Sequence, residues 1–83
     1  MANEERLRNL GRLAEWQKKA RVLAIKIHGL SQDVRLILDP HGEPEAIDGE
    51  RLTVLSGSIA EDKLALLDLK NKIKELREEL GIP

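Results

Sequence analysis

The sequence predicts an all-α fold: two long antiparallel helices forming a helical hairpin, which in turn dimerises into a four-helix bundle. Three observations carry that expectation. From Leu52 to Leu80, apolar residues recur in alternating steps of three and four at Leu52, Leu55, Ile59, Leu66, Leu69, Ile73, Leu76 and Leu80, with Asp62 the one polar position in phase. That is the a/d seam of a heptad-patterned helix, and a helix so long needs a partner to cover it. The first half supplies one, because Leu13, Trp16, Ala20, Leu23, Ile27, Leu30, Val34 and Ile37 alternate in the same way. Between the two lies DPHGEPEAID, residues 39–48, with two prolines, a glycine and four acids and no apolar face.

The first helix is expected over about residues 3–38. Asn3 is a suitable N-cap, and Glu4 and Glu5 suit the positive end of the helix dipole. Pro40 disfavours helical geometry at Asp39 and so sets the end. Gly29 is the weak point. It either sits inside one continuous helix, at about 1 kcal/mol relative to Ala, or caps a shorter helix followed by VRLIL as a strand. The heptad runs through Gly29 without changing phase, which favours continuity.

The connection spans about residues 39–48, long for a link between helices. The second helix is expected over about 49–80, with Asp48 as N-cap and Glu50 in the first turn. A rival start exists at Ser58-Ile59-Ala60-Glu61, which fits a capping box and would leave Leu52–Leu55 extended after Gly57. The seam already holds its phase at Leu52 and Leu55, which favours the earlier start. Gly81 and Pro83 follow Leu80 in the usual stopping order.

A chain folded back near residue 44 pairs residues whose numbers sum to roughly 88–90. Leu13 then faces Leu76, Trp16 faces Ile73, and Asp62 falls beside Lys26. Asp62 either pairs with Lys26 and fixes the hairpin register, as polar seam residues do elsewhere, or leans into solvent.

Both helices also carry apolar residues away from the seam: Val22, Ile25 and Leu36 in the first, Ala60, Leu64 and Leu67 in the second. A lone hairpin leaves them in water, which suggests a further contact surface. The chain has only 83 residues. Domains this small bury about 60% of their unfolded surface and often gain stability by association. A homo-oligomer, most simply a twofold dimer, is therefore expected.

Composition narrows the functional classes. There is no Cys, so neither a disulfide nor a thiolate metal site. Trp16 is the sole aromatic, which disfavours modules that stack bases on aromatic platforms. The charged start MANEERLRNL lacks the apolar run of a signal peptide, and no stretch approaches the ~18 apolar residues of a membrane span. A soluble cytoplasmic protein without membrane contact is expected. His28 and His41, the two histidines, stand far apart along the chain, so no metal site and no cofactor is expected. Glu4-Glu5 and Glu78-Glu79 are charges at helix ends with no pocket to shift a pKa, so no enzyme is expected either.

Charge is unevenly distributed. Residues 1–28 hold seven basic and three acidic side chains, residues 29–50 one and six, and residues 51–83 six and six. Arg6, Arg8, Arg12, Lys18, Lys19 and Arg21 give the first arm a basic cast that could follow phosphates.

The order of helix, Leu38-Asp39-Pro40, acidic turn Pro44-Glu45-Ala46-Ile47-Asp48 and heptad helix closing on Leu80-Gly81 resembles small helical-hairpin proteins of bacterial prophages and mobile elements. Ser56-Gly57-Ser58 departs from that pattern. The resemblance implies a bacterial or phage interaction protein and carries no functional residues. The leading expectation is a non-enzymatic protein–protein interaction or structural module. The alternative is a small nucleic-acid-associated regulator using the basic first helix.

Overall fold

The computed structural model describes residues 3–83. Helix α1 runs Asn3–Ile37 and helix α2 runs Gly49–Leu80, with no strand among the described residues. They lie antiparallel as a hairpin in a rod 63 × 17 × 16 Å. Asn3, expected as a cap, is already helical, and the residues before it lie outside the described range.

Gly29 and Gly57 both sit inside continuous helix. At neither does a side chain or the other helix come within 4 Å of where a Cβ would stand. Their helical cost is about 1 kcal/mol each. Seam packing on both sides of each glycine offsets that, so neither helix breaks and the strand alternatives do not occur.

α1 stops at Ile37, and Leu38 forms only a last turn, its N–H donating to Val34 O at 3.0 Å. Asp39 then organises the reversal. Its Oδ1 accepts from His41 N at 3.0 Å, and its carbonyl accepts from Gly42 N at 3.1 Å. A single 3₁₀ turn, Pro44–Ala46, follows with proline at its first position. Nothing in the apolar period of the chain announces that turn. Asp48 caps α2 through Oδ1, which accepts from Arg51 N at 3.0 Å.

The far end closes with a Schellman motif. Gly81 takes φ 69°, its N–H donates to Glu78 O at 3.1 Å, and Ile82 N–H donates to Arg77 O at 2.9 Å. That reversal turns Ile82 back onto the hairpin.

Among the described residues Leu13, Leu76 and Leu80 are the buried ones, and Leu10, Trp16, Ile73 and Ile82 pack around them. This cluster sits at the open end of the hairpin, where the C-terminal reversal adds cover from a third direction. Every other seam residue is only partly buried. Two helices alone cannot enclose a seam, because each a or d side chain is covered by its partner and left open at the flank.

Candidate interaction surfaces

Two helices side by side leave two broad sides and two outer edges. Residues advance about 100° per step around a helix, so the side each one occupies follows from its distance to the seam. On the first side, a groove of ≈ 610 Å³ crosses both helices. Its floor is Val22, Leu23, Ala65 and Leu69, and its rim Glu15, Lys18, Lys19 and Asp68. Toward the connection the same side continues through Gly29, Leu36 and Val54 on the helical period. Val22, Leu36 and Val54 are 58%, 79% and 67% exposed. The charges here are mixed: Lys72 Nζ stands 3.1 Å from Asp68 Oδ2.

The second side carries Ala60 and Leu67 among Arg21, Arg35, Lys63, Lys70, Lys74 and Arg77. Near the open end, Lys70, Lys74 and Arg77 line a groove of ≈ 500 Å³ with Ile73, Ile82 and Pro83, and Glu78 at its edge.

The sixteen apolar seam positions are all at least partly buried between the helices. The six residues of the expected further stripe are all exposed, but antiparallel pairing does not put them together. Val22 and Leu36 face the first side, Ala60 and Leu67 the second, and Ile25 and Leu64 the two outer edges. Gly29, Val54 and Ala65 belong with Val22 and Leu36, and reading both helices on one wheel would have found them.

Lys26 and Asp62 meet in the seam. Nζ stands 3.1 Å from Oδ2 and donates to Oδ1 at 3.4 Å. The Asp62 side chain is 15% exposed and that of Lys26 57%. Oδ2 is buried and receives no well-directed hydrogen bond, so its compensation is the nearby charge.

The basic cluster of the first arm is dispersed. Arg6 is engaged at the open end, donating to Leu80 O at 3.2 Å. Arg12 lies over the Trp16 ring, 6.0 Å from its centroid. On the helical period Arg8 and Lys19 belong to the first side, Lys18 to an outer edge and Arg21 to the second side. Proximity in sequence grouped six cations that the helix spreads around its circumference.

Among the described residues, no three of His, Asp and Glu gather in a way that could hold a metal ion, and no helix is long and apolar enough to cross a membrane. Compared with protein-family models, with curated proteins and with solved structures, the chain matches none.

Proposed function

We propose that this chain is a non-enzymatic interaction module whose hairpins pair through the first broad side into a dimeric four-helix bundle. One observation carries the reading. Among the described residues three apolar ones are buried, while nine large ones, from Leu7 to Leu67, stand 40–79% exposed. A hairpin with so little sealed core gains most from a second copy.

The first side suits that copy better than the second. It offers an apolar path with Gly29 and Ala65 where backbones can approach closely. It also mixes Lys19, Lys26 and Arg51 with Asp33, Glu61 and Asp68, so a twofold axis can set unlike charges together. The second side would set like charges against one another. Area is sufficient: a side of 63 by 17 Å presents roughly 1,000 Å², against about 800 Å² per partner in a stable interface.

The test is mass in solution. The monomer is 9.3 kDa, and light scattering at tens of micromolar is expected to give twice that. Val22→Glu with Leu36→Glu should return the mass to the monomer value. Ala60→Glu with Leu67→Glu should leave the dimer intact. A monomeric parent chain, or dissociation caused only by the second pair, would refute pairing through the first side.

A further inference from the structure

The two helices contain eleven carboxylates: Glu4, Glu5, Glu15 and Asp33 in α1, and Glu50, Glu61, Asp62, Asp68, Glu75, Glu78 and Glu79 in α2. None falls on the second broad side. That side takes two heptad positions in every seven, which by chance would hold about three of the eleven. It carries instead Arg21, Arg35, Lys63, Lys70, Lys74 and Arg77, with His28 between them. Both ion pairs among the described residues, Lys26–Asp62 and Lys72–Asp68, lie elsewhere, so all six cations are left without a carboxylate partner. Glu78 stands at the margin of the groove that Lys70, Lys74 and Arg77 line.

We infer that this acid-free side is a docking surface for the phosphodiester backbone of a nucleic-acid duplex. The spacing fits a long, regular polyanion. Lys63, Lys70 and Arg77 repeat every seven residues, about 10 Å apart along α2. In the register that sets Lys26 beside Asp62, the ladder from Arg77 to Arg35 spans about 36 Å, close to one turn of B-form duplex. The side has no aromatic residue, so it offers no stacking platform for unpaired bases. Its Arg and Lys groups suit phosphate contacts, which hold a duplex without reading its sequence. A lipid surface fits less well. Membrane-lying helices set cations on the face opposite their buried apolar residues, whereas here the cations share one side with apolar residues, Leu67 within the ladder and Leu7 and Ile82 toward the open end. The surface is independent of pairing through the first side, and a dimer built that way leaves both basic sides facing outward.

The experiment is fluorescence anisotropy of the full chain with a labelled 24-base-pair DNA duplex and an RNA duplex of matched sequence, each from 50 to 200 mM NaCl. Co-sedimentation with vesicles of 70% phosphatidylcholine and 30% phosphatidylserine runs alongside. Duplex binding should weaken with salt, with a log–log slope of about −3 to −5 as that many phosphates are neutralised. Lys63→Gln with Lys70→Gln and Arg77→Gln should weaken binding at least tenfold. The control Arg8→Gln with Lys18→Gln and Lys19→Gln removes the same net charge and should change binding less than twofold. Should the first triple lower the melting temperature by several degrees, Lys70→Glu alone is read instead, with a several-fold loss expected. Binding to DNA and RNA alike supports backbone recognition, and preference for one identifies the groove geometry that fits. Equal losses in both triples, no binding to either duplex at 50 mM NaCl, or stronger retention on vesicles than on duplexes would overturn the inference.

Discussion

Asp62 places a largely buried carboxylate in an otherwise apolar seam. Its Oδ2 is shut away from water with only the Lys26 ammonium nearby. Lys26→Ala removes that compensation and should lower stability by about 1–2 kcal/mol, seen as a fall in melting temperature of several degrees. Asp62→Leu removes the buried charge altogether and should leave the fold as stable or more so. It should also relax the register, so that light scattering shows more than one assembly. A sharper single species in Asp62→Leu would remove the register role. The sequence anticipated this meeting because hairpin arithmetic is simple once two seams are in phase. Gly81 makes a second point at this scale. Its φ of 69° is strained for any side chain, so Gly81→Ala should cost about 1 kcal/mol and release Ile82 from the core. Thermal melts followed by circular dichroism will show it.

At the scale of the helices, the seam was legible and the flanks were not. A period of three and four says which residues face the partner, and that is enough to place both helices and the reversal between them. The period says nothing of which flanking residues share a side, because that depends on the partner's direction. Antiparallel pairing matched Val22 with Ala65 across one groove and parted Leu36 from Leu67. The same blindness hid Lys63, Lys70 and Arg77. Residues 51–83 sum to zero charge, and the balance conceals that the acids of α2 all lie off one side. The short turn Pro44–Ala46 was illegible for a different reason. Local proline and Asx geometry sets it, and no hydrophobic pattern records that. Depth along the seam also yields a prediction. Leu76, 6% exposed, should cost about 2–4 kcal/mol on truncation to Ala. Leu36, 79% exposed, should cost far less in unfolding of the dissociated chain and register instead in the dimerisation constant. A concentration series of urea melts separates the two.

Taken whole, the molecule is a rod with a closed end, an open end and two unlike sides. Its sealed core lies at the open end, and its mixed apolar side runs toward the connection. A dimer covering that side would brace the part of the rod with least core of its own. Melting temperature should therefore climb with protein concentration in the parent chain. In Val22→Glu with Leu36→Glu it should stay constant. A parent melt that is independent of concentration from 5 to 500 µM would contradict that bracing.

Trp16 has an optical consequence. It is the chain's one indole, and it packs against the Leu13, Leu76 and Leu80 cluster with the Arg12 guanidinium over its ring. Its emission therefore reports the closure of one extremity and is silent about the other, tens of ångströms away. Peeling apart from the Pro40 end would pass unseen by fluorescence while ellipticity fell, so a lag between the two signals would measure how far the zipper opens before its clasp gives way.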